Sequence, residues 1–505
     1  MVNTEHHHIA IIGSGFSGVA MARYLKKSGR NDFTIFEKGD DVGGTWRDNT
    51  YPGIACDVPS NLYSFSFALN PNWSRSYSGG WEINQYIRAT ADRLGITEHI
   101  RFNDAITAAA WDDQAKLWRC ESEQGPFTAD FVIGAMGPLS EPQIPELPGI
   151  EKFKGEKFHS QQWDHDYDLK GKRVAVVGTG ASAIQFVPQI QPDVAELHLY
   201  QRTAPWILPR SERKLTDFEH KLYRRLPFVQ KLARGAIYSA MELRVIAFAK
   251  QSWIMSLAEP LAKLNIRRHI KDKTLRKQVT PNFRIGCKRI LMANNYYPAL
   301  AKDNVEVITH GVTEVRENSI IAADGTEREI DAIIWGTGFH VTDNPEWDNI
   351  KGRDGRSLTE TWAPTGMRSY LGTLVPNFPN VFLIIGPNTG LGHNSMVYMI
   401  ESNARYIVSA IDHVERVGAR DIEVKESTVE AFEADIVSRS KGTVWTTGGC
   451  DSWYLDASGR NTTLWPDFTF RFRKLCGSFD PAQVTLDASG GDTNPAHERN
   501  AATPA

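Results

Sequence analysis

Apolar positions along this chain fall into short runs that break at glycines. The stretch HIAIIGSGFSGVAMARYLKKSG, from His8, opens with a compact apolar run, stops at a glycine cluster and resumes with helix-spaced apolar positions. That order predicts a strand, a tight turn and an amphipathic helix. FTIFEK, 33 to 38, reads as a second strand ending in an acid, and FVIGAMG, 131 to 137, as a buried strand. The proline-rich LSEPQIPELPG that follows reads as a crossover between domains. RVAVVGTGASAIQFV, from Arg173, repeats the strand–turn–helix pattern, with ELHLYQRT, 196 to 203, as its second strand. Residues 213 to 279 lack turn signals and read as helices rich in Lys and Arg. AIIWGTGF, 332 to 339, and VFLIIGPN, 381 to 388, are further apolar strands meeting glycine turns.

Composition bounds this picture. The 505 residues allow two or three domains with sizeable cores. A formal net charge of −3 gives no global reason to expect nucleic acid as a partner. No apolar run approaches the roughly 18 residues of a membrane span. A basic, then apolar, leader is missing at the N-terminus, so secretion is not expected and a cytoplasmic location is. The basic stretch NIRRHIKDKTLRK is read as a solvated helical face rather than a membrane contact. His6, His7 and His8 are read as solvated or locally packed, and no metal is expected. Cys56, Cys120, Cys287, Cys450 and Cys476 contain no C-x-x-C pair, so five reduced thiols are expected. From Asp480 the chain is poor in large apolar residues, and residues 480–505 are expected to form a disordered tail.

The glycine clusters carry the first chemistry. Gly13-Ser-Gly15-Phe16-Ser17-Gly18 follows a strand and opens a helix. Its glycines allow the turn, close approach of a pyrophosphate and packing of helix on strand. The helix N-terminus adds unpaired N–H groups and partial positive charge. Glu37 and Lys38 close the next strand, where a carboxylate can accept hydrogen bonds from ribose hydroxyls. Gly178-Thr179-Gly180-Ala181-Ser182-Ala183 repeats the arrangement, with Gln185 in the following helix. Here the second strand ends in Gln201-Arg202-Thr203, which suits a 2′-phosphate and predicts NADPH rather than NADH. Two nucleotide sites in one chain point to an electron relay, with FAD at the first and the hydride donor at the second. GGTWRDNTYPGIACD, 43 to 57, is the candidate to close around the flavin ring, through Gly44, Thr45, Trp46 and Asp57.

Between the two turns stands FKGEKFHSQQWD, 153 to 164. With Phe153, Gly155, His159 and Trp163 it resembles, position by position, the F-x-G-x-x-x-H-x-x-x-W signature of Baeyer–Villiger monooxygenases. The run from Gly43 to Asp57 resembles that family's longer signature, and G-C-K-R at 286 to 289, W-G-T-G-F at 335 to 339 and G-P-N at 386 to 388 continue the likeness. N- and S-oxygenating flavin monooxygenases, the alternative reading, usually carry Tyr where Trp163 stands. A pyridine-nucleotide disulfide reductase is disfavoured by the missing C-x-x-C.

The resemblance implies an α/β fold of two Rossmann-like domains, for FAD and NADP, with a helical insertion in the NADP domain. The corresponding boundaries are 1–140 and 370–479 for FAD, 150–212 and 280–345 for NADP, and 213–279 for the insertion. It implies oxidation of ketones to esters or lactones by NADPH and O2 through a C4a-peroxyflavin, with sulfoxidation as a side activity, in a monomer or homodimer. Arg289 matches the family's catalytic arginine, Asp57 the carboxylate that holds it and Lys288 a residue contacting the NADP 2′-phosphate. Met396 matches a residue at the flavin edge, Tyr63 a cofactor neighbour and Trp453 a tryptophan on a loop near NADP. Phe153, His159 and Trp163 match linker residues between the domains, and His159 is not expected to act as a base. Two departures stand out: Met136, where Thr or Ser is common, and D-A-S-G-R-N after Tyr454 in place of G-A-N-x-P-G-K.

Overall fold

The computed structural model describes residues 4–487. Two sheets organise the chain. The larger has eight strands and is built around Gly125–Gly134 and its parallel neighbour Glu5–Ile12. Phe33–Phe36 continues the parallel side, with Ile9 opposite Phe33 and Ile12 opposite Phe36. An antiparallel hairpin of Ile106–Asp112 and Leu117–Ser122 extends the other edge. Val381–Leu383 returns late in the chain to pair in parallel with Val132, Ile133 and Gly134. Strands buried on both faces need continuous apolar sequence, and Ile9, Ile11, Ile133 and Phe382 are all inaccessible.

The second sheet is wholly parallel, ordered Val305–Ile308, Glu196–Tyr200, Arg173–Val177, Ala332–Trp335 and Glu156–His159. Each strand–turn–helix unit predicted around a glycine cluster is present: Phe16–Lys27 follows the first strand and Ala183–Ile190 follows Arg173–Val177. Between Glu196–Tyr200 and Val305–Ile308 the chain leaves the sheet and runs through the helices Asp217–Arg225, Pro227–Glu242, Glu259–His269 and Lys273–Gln278. The first of these begins with a capping box, Thr216 bonding Glu219 N–H and Glu219 reaching back. A packed cluster that includes Trp206, Phe248, Met255 and Phe283 fixes this helical excursion to Val444, Trp445 and Leu464.

Three expectations meet the structure. The segment 156–159, expected on the linker between the domains, is the edge strand of the second sheet, in register with 332–335. The tail is ordered to residue 487, because Val484–Asp487 pairs antiparallel with Asp421–Val424 and the ladder outweighs a weakly apolar composition. The rest of the expected tail lies outside the described residues. The third concerns the thiols: Cys287 and Cys450, 163 residues apart, form a disulfide, leaving Cys56, Cys120 and Cys476 free. The fold brings the pair together, and no local spacing announces it.

Candidate active site

At the first turn Gly15 caps the helix Phe16–Lys27 with no side-chain cap, and its first turn carries no acid. The same holds for Ser182 and the helix Ala183–Ile190. Both N-termini therefore keep their N–H groups and positive dipole ends for an external anion. Backbones crowd around each turn. A Cβ on Gly44 would lie 3.2 Å from Gly15 Cα, so the signature loop lies directly against the first turn. Gly178 has φ +110°, and a Cβ there would sit 2.3 Å from Gly336 O. These uncapped helix ends and side-chain-free cradles fit two dinucleotides.

Glu37 is buried and held ionised. Its carboxylate accepts from Ser14 N and Oγ at 2.8 and 2.7 Å, from Gly39 N at 2.8 Å and from Arg47 Nη1 at 2.8 Å. Burial raises its pKa, but the Arg47 charge and these donors leave it lowered overall. Lys38 directs its ammonium to Glu141 at 2.6 Å and Glu346 at 3.3 Å. Trp46 Nε1 donates to Tyr63 OH at 3.1 Å, with the rings edge to face. Gln185 is not aimed at an open phosphate site. Its Oε1 accepts from Tyr51 OH and Ala55 N, and its Nε2 donates to Ala55 O, so it ties the second helix to the signature loop.

Arg289 Nε donates to Asp57 Oδ2 at 2.8 Å, and Nη2 makes an ion-pair contact with the same oxygen at 2.6 Å. The Asp57 charge raises the arginine pKa further, against the cost of burial. Nη1 has no hydrogen-bond partner among the described residues. Arg202 is exposed, without an ion pair among the described residues, and Lys288 senses its charge. Burial lowers the Lys288 pKa, Asp451 opposes this and Arg202 adds to it. Lys288 thus lies within electrostatic reach of both Arg202 and Asp451.

The disulfide joins Cys287, two residues before Arg289, to Cys450, three before Trp453. It staples the C-terminal loop to the arginine segment. Trp453 is 49% exposed, so it is no core residue, and it lies edge-on to Tyr454 at 4.6 Å. Tyr454 is buried and interacts electrostatically with both Arg289 and Asp57. Sequence reasoning passed over Tyr454, whose only signal was its place beside Trp453. The divergent DASGRN forms a self-bonded turn: Asp456 Oδ1 accepts from Ser458 N at 2.9 Å, Ser458 Oγ at 2.6 Å and Arg460 N at 3.0 Å.

Glu242 is a second residue that sequence reasoning did not reach. It projects, buried, from the insertion, accepts from Asn394 Nδ2 and Thr469, and so fixes the turn that precedes Met396. In the signature segment His159 is inaccessible, accepts from Gln161 N at 3.1 Å, and is lowered by burial to about 4 despite the Gly338 carbonyl. With that value the ring is neutral near pH 7. Phe153 packs under Gly155, and Trp163 packs on Phe158 and Phe186. His6 and His8 bond Asp130, and no cluster of three or more metal-binding side chains exists among the described residues. No helix of the described residues is long and apolar enough to cross a membrane.

Comparison with known proteins agrees with this geometry. The flavin-binding monooxygenase-like family model matches residues 6–350. A Baeyer–Villiger monooxygenase of Pseudomonas aeruginosa is 51% identical, covering 95% of this chain and 92% of that protein. One from Streptomyces coelicolor is 49% identical over 97% and 96% of the two chains. The crystal structure of OTEMO in complex with FAD and NADP superposes with a TM-score of 0.84 at 25% identity, covering 96% of this chain and all of that one. The chain belongs to the flavin-binding monooxygenases, in the group of the Baeyer–Villiger monooxygenases.

Proposed function

We propose that this protein uses NADPH and O2 to convert ketones to esters or lactones, with Arg289 and Asp57 at the reacting centre. The observation that carries the reading is the Arg289–Asp57 ion pair, in a chain that also carries two uncapped helix N-termini at its glycine turns. In this reading residues 1–140 and 370–479 hold FAD and residues 150–212 and 280–345 hold NADP. Gly13, Gly15 and the start of the first helix cradle the FAD pyrophosphate. Glu37 faces the ribose, and Trp46, Tyr63 and Met396 border the ring. Thr179, Gly180 and Ser182 take the NADP pyrophosphate, while Arg202, Thr203 and Lys288 take the 2′-phosphate.

Bound FAD supplies hydride acceptance and oxygen activation. The chain supplies charge, position and dryness. Asp57 fixes the guanidinium plane, and Nη1 is left to face the oxyanion that develops on the ketone carbonyl. A guanidinium keeps its proton throughout, so it stabilises negative charge without acting as an acid. Trp453 and Tyr454, stapled to the arginine segment, border the NADP side and exclude water there. The reading places the enzyme in the cytoplasm, with its NADPH supply, as a monomer or homodimer.

The test supplies purified, FAD-loaded protein with NADPH and a panel of linear, cyclic and aryl ketones, with product identification by mass. An ester or lactone one oxygen heavier than its ketone supports the reading. Reducible bound flavin with no such product from any ketone rejects it.

A further inference from the structure

The helical excursion has an outer face unlike that of an ordinary surface helix, which turns apolar residues inward and polar ones outward. Glu259–His269 buries Ala262 and Ile266, as expected. Its opposite side is also apolar: Leu261 and Leu264 are 55% and 52% exposed, and Leu257, in the 3-10 turn Ser252–Ala258 that leads into the helix, is 68% exposed. Trp253, 61% exposed, precedes them. Single exposed apolar side chains need no explanation, but an aligned row does.

Cations border the row. Arg267, Arg268, Lys271 and Lys273 follow it, all exposed and none in an ion pair among the described residues. Residues 213 to 279 carry 16 Lys and Arg against five Asp and Glu, in a chain whose net charge is −3. The positive charge is therefore concentrated on this excursion. Against the expectation that the basic stretch 265–277 is only a solvated face, we propose that the outer face of the helical excursion, centred on Leu257, Leu261 and Leu264, docks on an anionic phospholipid surface.

The chemistry favours that occupant. Leucines and a tryptophan enter the headgroup boundary while flanking Lys and Arg meet lipid phosphates. A second copy of the chain would bring the same cationic face and repel it. Nucleic acid would satisfy the cations but leave the leucine row without a role. No described helix is long and apolar enough to cross a membrane, so the attachment is peripheral.

The test is co-sedimentation of the FAD-loaded enzyme with vesicles of phosphatidylcholine containing about 30% phosphatidylglycerol, and with vesicles of phosphatidylcholine alone. The bound fraction is expected to be about tenfold higher on the anionic vesicles and to fall in high salt. Leu257→Asp/Leu261→Asp and Arg267→Glu/Arg268→Glu should each cut binding about tenfold, with melting temperature and turnover of a water-soluble ketone unchanged. Failure to sediment with anionic vesicles overturns the proposal, as does full binding by the leucine variant. Concentration-dependent dimerisation abolished by that variant, with no vesicle binding, would assign the face to a second copy instead.

Discussion

Arg289 sets two nitrogens against a single oxygen of Asp57: Nε donates to Oδ2 at 2.8 Å, and Nη2 lies 2.6 Å from it in an ion pair. The shared oxygen restrains the guanidinium, and no hydrogen bond from Nη1 is made among the described residues. Asp57→Ala removes the restraint without removing the cation. Hydrogen bonds to charged groups contribute about 1.5–3 kcal/mol, so ester formation should fall roughly 10- to 100-fold. The check is parallel measurement of NADPH consumption and ester yield. Ester yield should fall further than NADPH consumption, with flavin retained.

Arg202 is exposed, has no ion pair among the described residues, and its charge is felt by Lys288. If they hold a 2′-phosphate, Arg202→Ala should raise KM for NADPH about 10- to 100-fold and leave KM for NADH nearly unchanged. Steady-state kinetics with both nucleotides decide this. An equal loss with NADH would place Arg202 elsewhere.

The disulfide makes a prediction about reactivity. Cys56, Cys120 and Cys476 are buried, and burial pushes all three thiols up, Cys120 to about 12. Thiolates are the reactive form. A thiol-alkylating reagent on the native enzyme should therefore label none of the five rapidly, and after mild reduction should label Cys450, the accessible half of the pair, while Cys287 stays inaccessible. Peptide mass mapping reads the outcome. Rapid labelling of Cys450 before reduction would show the bond absent.

A pH dependence is built into the first strand. His8 bridges Asp130 at 2.8 Å and Glu415 at 2.9 Å. Burial lowers its pKa, but the two carboxylates outweigh this and raise it to about 9. The folded value exceeds the unfolded value of about 6.5. Its stabilisation is thus complete below the unfolded pKa and is lost as pH rises through about 9. Melting curves of wild type and His8→Gln should differ most near neutral and acid pH and converge in alkali.

The strand–turn–helix units were legible because glycine spacing and apolar period agree locally, as at Gly13–Gly18 and Gly178–Ala183. The Arg289–Asp57 pair came from resemblance rather than from any pattern in the residues, which stand 232 positions apart. What stayed hidden depends on distant contacts. Cys287 meets Cys450 only in the fold, and Val484–Asp487 becomes a strand only because Asp421–Val424 offers an edge. Gln185 looked like a phosphate ligand by its place in a helix, but its amide is saturated by Tyr51 and Ala55. The outward row of Leu257, Leu261 and Leu264 could not be told from a core stripe until Ala262 and Ile266 were seen on the buried side.

The most direct test of the central claim is ester formation by Arg289→Ala with FAD bound and reducible by NADPH. Loss of one donor to a developing oxyanion costs about 2.7–4 kcal/mol, a roughly 10²- to 10³-fold loss. The account predicts that fall in ester yield at saturating ketone. Ester formation within about threefold of wild type, with the flavin site intact, would contradict it.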